Sequence, residues 1–334
     1  MDADMPVNPV PTTLDVGGTM WTTALAILLL GSPDSTASGS VRVWVAEGET
    51  LRVALRGSVG GRPVVIIPGL FGAVEGFARL SDSLVVSGYR VIVVEPLGVG
   101  SSGRPKRADY SLTAQAERIA AVMHEFDMQH AVVVAHSVSA AIALRLAVLH
   151  PNLVAGVVSL EGGPTETIAT PGLRRALKWA PLLKLLGSGP LRGRIARSLR
   201  EASGDTTWLS DSVVEVYTRG PARDLGATLH ALRGMVEAVE PWPLGPALQK
   251  ITCPVVLVIG EAPHEGGPDA TAREKMATIR GFTLAPLAGV GLYSFEEAPN
   301  LVAGVIRRAV PLPLPAQARS ATNPISSRVV WTKL

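Results

Sequence analysis

The chain has 334 residues, of which 47% are hydrophobic and 18% charged, and its mean hydropathy is +0.30. A formal net charge of +3 carries no global nucleic-acid signal, and the single Cys253 excludes an intramolecular disulfide. The six histidines form no H-x-x-x-H pair or other metal-ligand spacing, so neither a metal nor another cofactor is expected.

Residues 1–40 form an N-terminal segment that opens acidic, with Asp2, Asp4 and Asp15 and no Lys or Arg before residue 20. Residues 16–33 are uncharged, with an apolar heart at Ala24–Leu30. That heart is short for a span of about 20 residues, and no basic n-region precedes it. Three readings stand: a short membrane anchor, a signal-like segment, or a helix packed on the body. As an anchor, its acidic flank and the later Arg42, Arg52 and Arg56 place the body on the cytoplasmic side.

From residue 41 strands and helices alternate. Val41–Val45 and Leu51–Leu55 read as a hairpin around Gly48, and Val64–Ile67 and Val91–Val94 as buried strands. Ser111 is a plausible N-cap for an amphipathic helix over 111–128. Val132–Val134 runs into Ala135-His136-Ser137-Val138-Ser139, where an apolar strand stops at a serine and an Ala/Leu-rich helix starts at once. That is the pattern of a nucleophile elbow, whose tight turn needs small flanking residues. Strands at Val154–Leu160 and Val255–Ile259 follow, then a helix over 270–279, a short strand at Phe282–Ala285 and a helix over 298–308. Cys253, at the start of an apolar strand, reads as a buried thiol. Apolar strands alternating with helices predict a mostly parallel sheet covered by helices on both faces.

Several motifs in this order resemble the α/β-hydrolase superfamily. Pro68-Gly69-Leu70-Phe71-Gly72 is similar to the H-G-x-x-G turn, and Glu95–Ser102 to the D-x-P-G-x-G-x-S loop. Ala135–Ser139 is similar to G-H-S-x-G, Leu149-His150-Pro151 to the helix end after the elbow, and Glu297-Ala298-Pro299 to the E-x-P after the family's histidine loop. The resemblance implies an α/β-hydrolase core over 41–162 and 246–310, with a helical lid inserted at 163–245 and a Pro-rich tail at 311–334. Fold alone does not set the chemistry.

The resemblance gives Ser137 as nucleophile, and the backbone N–H groups of Val138 and Leu70, with Phe71 nearby, as oxyanion donors. It also places the usual acid at Pro263 and the base at Leu292, and neither side chain can serve. Glu161, at the carboxyl end of the preceding strand, is the candidate acid. His264, in the usual acid loop, is the one candidate for a relocated base. His136 precedes the nucleophile and is expected to point away from it; His150 is read as structural.

Between residues 167 and 200 there are eight Lys and Arg and no Asp or Glu. The stretch 171–200 interleaves these cations with Trp and Leu, which reads as a membrane-surface or partner-binding helix or as an ordinary lid. The expected function is a degenerate α/β-hydrolase-like protein with little or no turnover. It would bind a small apolar ligand or act as a membrane-associated interaction subunit through 16–33 and 171–200. The alternative is a carboxylesterase- or lipase-like serine hydrolase acting on an acyl ester, with exported or soluble cytoplasmic placement as the other localisations. No nucleic acid is expected as a partner.

Overall fold

The computed structural model describes residues 39–169, 171–178, 189–310 and 329–331. The apolar segment 16–33, the link 179–188 and most of the tail 311–334 therefore lie outside the described residues. The strands are β1 (Gly39–Ala46), β2 (Glu49–Arg56), β3 (Arg62–Ile67), β4 (Tyr89–Val94), β5 (Ala131–His136), β6 (Val154–Leu160), β7 (Val255–Gly260), β8 (Phe282–Leu287) and β9 (Val329–Trp331). They form one sheet in the order β8-β7-β6-β5-β3-β4-β2-β1-β9. From β4 through β3, β5, β6 and β7 to β8 the pairing is parallel; β1, β2 and β9 add an antiparallel edge.

The longer helices are α1 (Ala78–Val86), α2 (Leu112–Glu125), α3 (Ser139–Leu149), α4 (Pro171–Lys178), α5 (Gly189–Glu201), α6 (Asp211–Arg223), α7 (Leu225–Glu237), α8 (Ala270–Ala277) and α9 (Pro299–Ala309). Successive strand side chains point to opposite faces. Val65, Ile67, Val133 and Ala135 therefore pack with the α2 and α3 side chains Ile119, Met123, Ile142 and Leu146. Val64, Ile66, Val132 and Val134 face the other way, towards Leu80 and Leu84 of α1 and Val302 and Ile306 of α9. Both faces of the central strands are buried, which is why they read as continuous β-branched runs.

Ser111 caps α2, its hydroxyl accepting from the Ala114 N–H at 3.1 Å. The helix ends at Glu125 rather than reaching 128, because Phe126 is its C-cap and Asp127 takes a left-handed φ of 51°. The strand expected to stop at Ala285 continues to Leu287, paired with Gly260 of β7. Cys253 is only half-buried and precedes β7 by two residues, and its burial still pushes the thiol up to about 11.

Helices α4 to α7 are inserted between β6 and β7. Entry and exit of this insertion converge on Arg145 of α3, which is fully buried. Its Nη2 donates to Glu166 at 2.6 Å and its Nη1 to Thr113 Oγ1 at 3.1 Å and the Trp242 carbonyl at 3.2 Å. The guanidinium lies 4.6 Å from the Trp242 ring centroid, a cation–π contact. Glu166 also accepts the Leu244 N–H at 2.7 Å, while Glu240 accepts the Leu112 and Thr113 N–H groups at the start of α2.

Candidate functional site

The sharp turn after β5 holds Ser137 at φ 54°. A left-handed non-glycine residue costs about 1–3 kcal/mol and persists only where its surroundings enforce it. Here two glycines make the room. A Cβ on Gly162 would overlap the Ser137 carbonyl oxygen, and one on Gly69 would stand 2.9 Å from His136 Nδ1 and 3.4 Å from Ser137 Cβ. Ser139 Oγ then donates to the Pro68 carbonyl at 2.6 Å, tying the elbow to the Pro68–Gly72 turn. Among the described residues neither the Leu70 nor the Val138 N–H donates to a protein oxygen, so both backbone donors beside Ser137 are free. Phe71 is exposed in the same turn.

Ser137 Oγ has no hydrogen-bond partner among the described residues. His136 points away from it: Nε2 lies 3.2 Å from the Leu292 carbonyl. A carbonyl can only accept, so Nε2 carries the proton. The ring packs edge-on against Phe295 and tilted against Tyr293, and burial pulls its pKa down to about 4. His150, the C-cap of α3, bonds Glu117 at 3.0 Å.

The loop after β8 is a structural clasp. Leu292 stands in it, and its N–H donates to the Ala202 carbonyl at 2.8 Å. Glu297 Oε2 accepts three backbone N–H groups: Gly204 at 2.9 Å and Asp205 and Gly291 at 3.0 Å. A Cβ on Gly204 would overlap the Gly289 carbonyl, and one on Gly291 the Ala202 carbonyl, so glycines permit the two backbones to meet. Behind the clasp, Tyr293 packs with Trp208 and Tyr217 of the insertion. Tyr217 donates to Glu296 at 3.2 Å, and burial raises Glu296 to about 7.

Glu161 and His264 are brought together. Glu161 is 2% exposed and, like Ser137, left-handed at φ 55°. One oxygen accepts the Gly260 N–H; the other has no hydrogen bond and faces His264 Nε2 at 3.5 Å. His264 Nδ1 lies 2.8 Å from the Ala262 carbonyl and so donates to it, which leaves Nε2 turned to the carboxylate. Nε2 thus faces the unpartnered carboxylate oxygen from beyond ordinary hydrogen-bond distance. Burial is the main reason the Glu161 carboxyl is raised. Gly266 and Gly267, at φ 116° and 77°, fold the loop over the pair; a Cβ on Gly267 would come 2.8 Å from Glu161 Oε2. Pro263 is exposed on the outside of this loop.

Beside the elbow lies a cavity of about 20 Å³, lined by Leu70, Val138, Ile142, Tyr110, Ile168 and Met235 among others. Its polar groups are already used: Gln115 bonds both backbone groups of Leu97, Tyr110 donates to the Pro105 carbonyl, and Ser139 to Pro68. Among the described residues no group of three or more His, Cys, Asp or Glu is arranged to hold a metal ion. Nor is any described helix long and apolar enough to cross a membrane.

The sequence reading did not find the Glu297 clasp or the Arg145 knot. The E-x-P motif drew attention to Glu297, but not to the insertion backbone that it binds.

The parallel sheet, the serine at its strand-to-helix turn and the inserted helices define a class. A family model described as the alpha/beta hydrolase fold matches residues 62–182, and the chain has the α/β-hydrolase fold. Among curated relatives, it is 28% identical over 231 residues to the magnesium-chelatase 30 kDa subunit of Rhodobacter capsulatus, covering 67% of this chain and 80% of that protein. It is 26% identical to an sn-1-specific diacylglycerol lipase of Xenopus tropicalis over 58% of this chain, which spans 63% of that lipase, under two thirds of its length. Among solved structures, an alpha/beta hydrolase fold protein from Burkholderia ambifaria superposes with a TM-score of 0.67 at 20% identity, over 81% of this chain and 98% of its own.

Proposed function

We propose that this protein is a degenerate α/β-hydrolase-like protein that binds an apolar ligand beside Ser137 and turns over esters little or not at all. One observation carries the reading: Ser137 Oγ has no partner, while Leu292 occupies the loop that would supply its base and that loop is bonded to the insertion. Losing the base of a serine triad costs on the order of 10⁴–10⁶ in rate. The ligand chemistry follows from the adjoining wall, whose spare surface is hydrocarbon because its polar groups are satisfied. A cavity of about 20 Å³ holds roughly one water, so a ligand enters by displacing Ile168 and Met235 of the insertion, which acts as a lid. The free Leu70 and Val138 N–H groups suit a carbonyl or carboxylate at the head of such a ligand. The named activity of the diacylglycerol lipase fits an acyl chain, and the magnesium-chelatase relative, named as a subunit, fits an interaction role.

The reading includes membrane association through 16–33, with the hydrolase-like domain cytoplasmic. It is supported by the uncharged stretch behind an acidic flank. Deleting residues 1–33 is expected to move the protein to the soluble fraction at high salt, where electrostatic adsorption is screened; an unchanged distribution there argues against an anchor.

A second reading, a serine hydrolase with His264 as relocated base and Glu161 as its acid, draws on the 3.5 Å Glu161–His264 contact and requires Nδ1 to exchange the Ala262 carbonyl for Ser137. Hydrolysis of short p-nitrophenyl esters separates the two. The first reading expects wild type to be no faster than Ser137→Ala. Robust activity abolished by both Ser137→Ala and His264→Ala establishes the second and overturns the first.

A further inference from the structure

The insertion carries a charge segregation that the site beside Ser137 does not use. Eight cations and no carboxylate lie between residues 167 and 200, whereas the whole chain nets only +3, so the remainder is acidic by five. Helices α4 and α5 divide these residues by face. In α4, Leu177 is buried while Arg174 and Lys178, one turn apart, are exposed. In α5, Leu199 is buried and Ile195 half-buried, while Arg194, Arg197 and Arg200 are exposed.

Among the described residues none of these five cations has an acidic partner. The contrast is the half-exposed Arg192 of α5, which bonds Glu215 at 2.7 Å and Asp211 at 3.4 Å. One exposed carboxylate, Glu201, borders the α5 face without pairing to it. Unpaired arginines on a folded helix face repel one another, and an anionic counter-surface relieves that repulsion.

We propose that the outward faces of α4 and α5 dock the insertion onto the headgroups of an anionic lipid bilayer. The sequence joining them decides between a bilayer and an acidic protein. Residues 179–188 carry Trp179, Leu182, Leu183, Leu185 and Leu186 with one further cation, Lys184. Arg, Lys, Trp and Leu so mixed suit a headgroup boundary, where charge meets phosphate and apolar side chains meet acyl chains. The buried leucines of α4 and α5 hold those helices to the protein, so their own contribution is electrostatic and salt-sensitive. The proposal rests on the membrane association inferred above, but uses neither residues 16–33 nor turnover at Ser137.

The test is flotation of the purified full chain with phosphatidylcholine vesicles, with and without phosphatidylglycerol. Wild type is expected to favour the anionic vesicles and to lose that preference at high salt. R194E/R197E/R200E, all at exposed positions, should weaken anionic-vesicle binding by about a hundredfold at low salt, with an unchanged urea midpoint. R174E/K178E should weaken it less. A chain lacking residues 1–33 should keep the phosphatidylglycerol preference. The proposal is overturned if the triple reversal binds as wild type does, or if the preference vanishes with residues 1–33. It is equally overturned if the chain ignores both vesicles yet binds polyglutamate. None of these results bears on ester hydrolysis, so the reading of the Ser137 site stands or falls separately.

Discussion

The elbow after β5 and the loop after β8 meet where His136 Nε2 donates to the Leu292 carbonyl, yet they are built differently. The elbow keeps its strained serine, its free N–H donors and the glycines that make room for them. The β8 loop carries Leu292, and its hydrogen bonds go to the insertion. The difference is between functions set by backbone and functions set by one side chain. An oxyanion donor survives any substitution that preserves the turn. A general base does not survive a single change to leucine.

The contrast can be broken from either side. On the elbow side, Gly162→Ala puts a methyl into the Ser137 carbonyl and should cost about 3 kcal/mol in urea unfolding; a neutral result would mean that the turn is not held by this close approach. His136 gives an effect of similar size through pH. Its pKa of about 4 lies below the unfolded value near 6.5, so the unfolded chain binds more protons between those limits. Its contribution is complete above pH 6.5 and falls by about 3 kcal/mol as pH drops to 4. Buried Glu95 and Glu296, each raised to about 7, slope the opposite way between pH 4.5 and 7. The measurement is therefore the difference in stability between wild type and His136→Gln across that range, and a pH-independent difference would refute it.

On the loop side, Leu292→His should raise ester hydrolysis by about a hundredfold over Ser137→Ala, the gain typical of a positioned general base. No gain would show that the elbow has decayed as well, and the contrast would collapse. The smallest effect is expected from Glu297→Ala. It strips three N–H groups of their acceptor, but at a half-exposed site where water replaces part of the loss. About 2 kcal/mol is expected, with Ser137 unaffected; equal stability would mean that the clasp does not hold the insertion.

What could be read from the sequence was local. The Val132–Val134 run ending at Ser137, the Ser111 cap and the glycine turn at Gly48 each depend on neighbouring residues, and each appears in the fold where the pattern put it. Leu292, at the position where the resemblance implies a histidine, is a local reading of the same kind. Distant partners were not readable. Glu297 binds residues 92 and 93 positions away, and Arg145 gathers Thr113, Glu166, Glu240 and Trp242. Nothing in periodicity or turn chemistry encodes such meetings. The left-handed Glu161 was hidden for another reason: glutamate is not a residue whose presence announces a positive φ.

The knot at Arg145 also bears on how the molecule can be rebuilt. Because Glu166 and the 240–244 segment end on the same guanidinium, the strands on either side do not depend on the length of chain between those points. The inserted helices are in that sense a cassette, buckled at its ends by Arg145 and fastened along its length by the Glu297 clasp and the Tyr217–Glu296 bond. A short linker in their place would keep the contacts at Arg145 but remove the acceptor bonds at Glu297 and the packing on Tyr293, so the ends and the body of the insertion can be tested apart.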